Sequence, residues 1–192
     1  MPEHHNQSGM TLVEILVAMA ILGVIVTGIY NLFRVHNLMA ARQEETTMMQ
    51  QELLSALVQM GDDLRMCGYA PDGGTFGFNA TATNATAVYC TKNATGGGND
   101  TQIGYRLDAA NNEIDLFLNS NATWEPAASN IANLNIVYFD INGNTIVDPG
   151  ANATNIRYVD ITATAMASTE RSNLNIANRT MSTRVYCRNT GI

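Results

Sequence analysis

The sequence predicts an α+β fold, one long amino-terminal helix packed on an antiparallel β-sheet, and three observations lead there. No proline lies between Met10 and Ala70, so a helix can run uninterrupted until Pro71 and Gly73–Gly74 stop it. From about residue 75 the pattern changes to short alternating runs separated by turns rich in Asn, Thr and Gly. A single helix followed by strands, with no alternation of strand and helix, belongs to the α+β class.

The helix begins in an apolar stretch. Residues 10–30 hold little that is polar except Thr11, Glu14 and Thr27, and Leu12 to Tyr30 is long enough to cross a bilayer once. Glu14 is the anomaly, because a carboxylate within such a run is costly unless something meets it. The preceding "MPEHHNQSG" is unlike a secretory signal, which has a basic start and a cleavage site after its apolar core. Cleavage at Gly9, before the run, leaves the hydrophobic helix on the mature protein.

Past Tyr30 the helix turns amphipathic. Leu53, Leu57, Met60 and Leu64 recur at helical spacing, with Leu54 and Val58 on the adjoining strip. The stripe is expected to cover the protein's own later strands rather than form a coiled-coil seam. No proline near Asn31 kinks the helix. Gly23 and Gly28 stand five apart, not at the spacing of tight helix pairs.

The strands follow. "TQIGYRLDAANNEIDLFLN" reads as a hairpin with Ile114, Leu116 and Leu118 on one face. "NLNIVYFDINGNTIV" alternates Leu134, Ile136 and Tyr138 before Asn142–Gly143, a strong tight-turn signal. "IRYVDITATA" sets Val159, Ile161 and Ala163 on one face, and "TRVYCRN" forms a last strand. The expected division is a leader over 1–9, a membrane helix over 10–30, an amphipathic helix over 31–70 and an exported β-rich domain over 71–192.

Charge narrows the function. The net charge is −7 and Lys92 is the one lysine, which argues against nucleic acid, since that partner calls for a basic face. The three cysteines, Cys67, Cys90 and Cys187, all follow the apolar run, where an exported domain meets an oxidising compartment. An odd number leaves one over. Cys90 and Cys187 each end a "VYC" strand, so Cys90–Cys187 is the expected pair, although spacing leaves the connectivity open. No cysteine or histidine spacing suggests zinc.

Residues 9–14, Gly-Met-Thr-Leu-Val-Glu, resemble the type IV prepilin signature of Gly, an apolar residue, Thr, Leu, an aliphatic residue and Glu. The resemblance implies that a prepilin peptidase cuts after Gly9 and methylates the new amine of Met10. It also implies that Glu14 meets the positive amino-terminus of a neighbouring subunit during assembly. Met10 departs from the usual Phe, and the leader lacks Lys and Arg, so the positive-inside rule gives no topology.

Four later segments, "DDLRMCGY", "NIANLNIVYFDINGN", "IRYVDITATA" and "STRVYCRN", resemble in order and spacing the PilW type of minor pilin. Pseudopilin J of type II secretion has a similar ending. The resemblance implies a pilin-like fold, storage in the inner membrane with a periplasmic domain, and a place at a filament's priming or tip complex, reaching the cell surface with the pilus. Its implied partners are major and minor pilins, the prepilin peptidase and the inner-membrane assembly platform. A pilus-presented adhesin, with the Asn-rich loops as its binding surface, is the alternative of a different class.

Other candidates have plainer readings. Asp140, Asn142, Asn144, the Ile146 carbonyl and Asp148 alternate as calcium ligands do, yet the glycine is misplaced for an EF-hand and no closing glutamate follows. A hairpin turn accounts for the same residues without an ion, and no other cofactor is expected. Sequons begin at Asn79, Asn84, Asn93, Asn99, Asn121, Asn152 and Asn178, and solvated turns explain them in a domain so rich in Asn and Thr. His4 and His5 lie in the expected leader, and His36 lies just past the membrane stretch. No catalytic constellation is visible, so a structural protein, not an enzyme, is expected.

Overall fold

The computed structural model describes residues 10–71, 77–93, 101–118 and 123–190. Helix α1 spans Leu12–Arg65. Eight strands follow: β1 Ala87–Lys92, β2 Thr101–Asp108, β3 Glu113–Leu118, β4 Thr123–Ala128, β5 Ile131–Phe139, β6 Thr145–Ile146, β7 Tyr158–Ala165 and β8 Arg179–Tyr186. The chain divides between Gln43 and Glu44 into two compact units. The first holds the apolar stretch of α1, and the second holds the rest of α1 and all the strands. The α+β class with a long amino-terminal helix on antiparallel sheet is thus realised.

One sheet was expected and two are present, each of four antiparallel strands, in the orders β1-β2-β3-β4 and β6-β5-β7-β8. The β2–β3 hairpin pairs Ile103 with Leu118 through Asp108 with Glu113. Asn142–Gly143 turns β5 back onto β6, where Tyr138 faces Ile146 and Gly143 takes φ +81°. The sheets are joined by main-chain bonds, from Ile136 N–H to the Ala85 carbonyl at 2.8 Å and from Ile131 N–H to the Asn112 carbonyl at 2.7 Å. Tyr138 adds its hydroxyl, which donates to the Asn84 and Ala87 carbonyls at 3.0 and 3.1 Å. Burial raises the pKa of that phenol, so it stays a donor.

The core forms where the helix stripe meets the strands' inner faces. Met49, Leu53, Leu57, Met60 and Leu64 of α1 are buried, with Val88, Ile103, Tyr105, Ile114, Leu134, Ile136, Tyr138, Val159, Ile161 and Ala163 from the strands. Leu54 and Val58 are each 54% exposed, contrary to the expected wider stripe. Each stands about 100° around the helix from a buried neighbour, which turns it out of the face. A bulge between Ile131 and Asn133 resets the alternation in β5, so Ile131 and Leu134 both point inward.

The end of α1 is held by several bonds at once. The helix closes at Arg65, short of Pro71, and the turn after it ends at Gly68, whose φ is +77°. A Cβ at Gly68 would lie 2.5 Å from the Asn189 carbonyl oxygen, so geometry and space both require glycine. Gly68 N–H donates to the Thr91 carbonyl at 3.1 Å, and Asn93 N–H to that of Tyr69 at 2.8 Å. Half-buried Asp63 accepts the Tyr105 hydroxyl at 2.6 Å and pairs with Lys92 at 3.3 Å. Upstream, buried Glu45 accepts the Ser168 N–H at 2.7 Å, and Arg171 bridges to Glu44 at 2.9 Å.

The expected Cys90–Cys187 disulfide is corrected. Cys67 pairs with Cys90 across a Cα separation of 5.6 Å, and Cys187 is a free, buried thiol. Cys90 lies on β1 in one sheet and Cys187 follows β8 in the other, so the similar strand endings do not pair as neighbouring strands. The helix end instead arrives beside β1. Burial pushes the Cys187 thiol up to about 12, which keeps it protonated and unreactive.

Three outcomes follow for a fragment beginning near Asn37, expected to be soluble and cooperatively folded. Peptide mapping of oxidised protein yields the Cys67–Cys90 link. Replacing both cysteines by serine lowers stability in urea by about 3 kcal/mol, the loop-closure value for a 23-residue separation. Leu53→Ala, at a fully buried position, costs about 2–5 kcal/mol. A mapped Cys187 link, or a melt indifferent to Leu53, refutes this packing.

Candidate functional site

The chemistry-bearing residues of the amino-terminal signature sit at the first turn of α1. Thr11 precedes the helix, and its carbonyl accepts the Ile15 N–H at 3.3 Å, opening the helical ladder. Its hydroxyl accepts the Glu14 N–H at 3.4 Å. Glu14 reaches back, its Oε2 accepting the Thr11 N–H at 2.9 Å and the Thr11 hydroxyl at 3.0 Å. This is a reciprocal capping box, which satisfies amide donors that a helix start leaves open. The carboxylate also sits at the positive end of the helix dipole.

Glu14 therefore has a partner within its own chain. The signature resemblance assigns Glu14 to a neighbour's terminus and includes Thr11 without a capping role. The signal was present, since Thr-x-x-Glu before an apolar run is the capping-box pattern. Gly9 lies outside the described residues, and Met10 is the first of those described.

Along the first unit nearly every side chain is exposed. Met10, Leu12, Leu16, Met19, Leu22, Val24, Ile29, Leu32 and Phe33 are all 59% exposed or more. Among the described residues, α1 is the one helix long and apolar enough to cross a membrane. Such a sleeve requires an apolar surrounding. His36 lies on its exposed surface.

The calcium candidates are placed around the β5–β6 turn. Asp140 Oδ1 accepts the Asn142 and Asn144 N–H groups at 2.9 and 2.8 Å, and Oδ2 accepts the Asn144 side-chain amide at 3.0 Å. These bonds, that from the Asn144 side chain first, hold the Asp140 carboxyl below its usual range. Asp148 caps the next turn, accepting the Ala151 N–H at 3.0 Å. A cation entering here must displace turn donors and meet Arg157, which lines the same cavity. Asp108, Glu113 and Asp115 form a carboxylate cluster that the sequence reading missed. Asp115 pairs with Arg106 at 2.9 Å, and Asp108 caps its hairpin through Ala110 and Asn111.

Of the sequon asparagines, Asn79 and Asn84 accept the Thr81 and Thr86 N–H groups, as solvated turns do. Asn99 and Asn121, like His4 and His5, lie outside the described residues.

No curated protein matches the chain. The family model for the prokaryotic N-terminal methylation motif matches residues 4–30, the stretch that holds Gly9, Met10, Thr11 and Glu14. The motif covers a small part of the 192 residues. It supports a type IV pilin or pseudopilin type of protein, made as a prepilin and assembled with other pilins, and with the exposed apolar helix it marks a single-pass membrane anchor.

Proposed function

We propose that the protein is a minor pilin of a type IV pilus, of the PilW type. The prepilin peptidase cleaves it after Gly9 and methylates Met10. The inner membrane stores it through α1, with the second unit in the periplasm, until the assembly platform passes it into a priming or tip complex with other pilins. The observation that carries this reading is the methylation motif on a helix whose apolar side chains are exposed along the first unit. A membrane, then neighbouring helices, supplies the cover such a surface needs. The second reading, a J-like pseudopilin of type II secretion, rests on the similar "STRVYCRN" ending.

Glu14 has two successive partners in this proposal. In the stored subunit it closes the capping box on Thr11. On docking, the neighbour's amino-terminus attracts the same carboxylate, since a buried charge is tolerable when paired and hydrogen-bonded. The role is in assembly, and no catalytic step is proposed.

Processing is tested first. Gly9→Leu leaves full-length precursor in the membrane on amino-terminal sequencing, because a peptidase site fitted to glycine excludes a branched side chain. Normal trimming of that variant refutes the prepilin assignment.

Assembly is tested at Glu14. Glu14→Ala keeps cleavage and membrane abundance but lowers crosslinking to partner pilins at least about tenfold. Glu14→Gln is the sharper variant, because glutamine preserves a capping box while removing the charge. It fails to assemble if charge pairing matters. If Glu14→Gln assembles as the parent does while Thr11→Ala fails, the cap alone is the functional feature. Co-purification with pilus subunits or with secretion-system pseudopilins separates the two machines.

A further inference from the structure

The outward face of the second sheet carries an open aromatic row that the core does not use. Phe139 on β5, Tyr158 on β7 and Tyr186 on β8 are register partners, so the three rings share one face. The next row, Tyr138, Val159 and Val185, faces the core and is buried. The Tyr158 and Tyr186 rings lie 5.1 Å apart at 35°, and Tyr186 is 45% exposed. Arg184 lies 5.0 Å over the Phe139 ring and is fixed by two bonds to Asp160, at 2.5 and 2.6 Å. With the turn residues Ile141, Asn142 and Gly143, the side chains of Phe139, Tyr158 and Arg184 line a cavity of about 360 Å³.

That volume is at the small end of ligand sites, which run from about 300 to 1,000 Å³ and combine apolar walls with a few fixed polar groups. The first sheet shows the contrast. There Tyr89, Phe117 and Trp124 pack on one another at 5.4–5.8 Å, and Arg106 covers the Trp124 ring. Gly104 lets the Tyr89 ring lie against the strand, since a Cβ there would meet it at 2.9 Å. That cluster packs ring against ring, and the row on the second sheet lines a cavity.

The lining chemistry selects the ligand. Asp160 engages Arg184 through both carboxylate oxygens, so the ion pair is neutral as a unit and favours a ligand without net charge. Aromatic walls require an apolar face on the ligand. Asn142, Tyr158 and Arg184 bring polar groups to the lining, which suit hydroxyls at the ligand's edge. A pyranose ring has both, with C–H groups on its face and hydroxyls around its rim. We infer that this cavity binds a neutral pyranose unit of a glycan. The inference does not rest on processing or assembly, so a chain defective in either still binds.

The test uses the full chain in a zwitterionic detergent that contains no sugar. Saturation-transfer NMR is run with maltotriose, cellotriose and tri-N-acetylchitotriose, and with sialyllactose as the charged probe. At least one neutral probe shows transfer to its ring C–H protons. Tyr158→Ala and Asn142→Ala each weaken binding about three- to tenfold, the range of one aromatic contact or one hydrogen bond. Trp124→Ala, on the other sheet, leaves binding unchanged. If Tyr158→Ala does not fold, the exposed Asn142 decides. The inference is overturned by no transfer to any neutral probe, by transfer to sialyllactose alone, or by full binding in the Asn142 variant.

Discussion

The folded unit depends on how the end of α1 is fastened to β1. Within a few residues the chain combines a disulfide from Cys67 to Cys90, a glycine at Gly68 that admits no side chain, and main-chain bonds from Gly68 and Asn93. Asp63 adds a hydroxyl from Tyr105 and an ion pair with Lys92. A helix stripe gains little by being apolar unless it is held in one register over its sheet. These bonds supply the register, and the burial of Leu53, Leu57, Met60 and Leu64 supplies most of the energy. Charged pairs farther up the helix, Glu44 and Glu45 with Arg171, carry the fastening to the segment after β7.

The first unit obeys a different economy. Its apolar side chains are exposed, so its stability as a helix comes from local terms: an unbroken main-chain ladder, no proline, and a capped first turn. Thr11 and Glu14 terminate the ladder at the point where the sequence signature places its chemistry. A carboxylate that closes its own helix costs less in an apolar medium than an unpartnered one, because its charge meets two donors and the helix dipole. The same group stays near the chain's amino-terminal end, where an approaching subunit can compete for it.

Much of this was legible in the sequence. The proline-free run with its apolar and amphipathic halves gave the helix, and alternation gave the inner faces of β5 and β7 correctly. Asn142–Gly143 marked its turn. The amino-terminal signature named Gly9, Met10 and Glu14 as the residues to watch, and the methylation-motif match falls on that stretch. The capping role of Thr11 is equally local, a Thr-x-x-Glu pattern at the start of the helix.

What the sequence determined alone was everything governed by near neighbours along the chain: the long helix, the two-residue period of the strands, the tight turn and the membrane-length apolar run. Only tertiary structure decided the rest. Which strands share a sheet is set by long-range packing, so Cys67 rather than Cys187 became the partner of Cys90. The width of the buried helix stripe depends on the surface it meets, which left Leu54 and Val58 in solvent. The Phe139, Tyr158 and Tyr186 row arises from register between three strands distant in sequence, and periodicity within any one of them cannot show it.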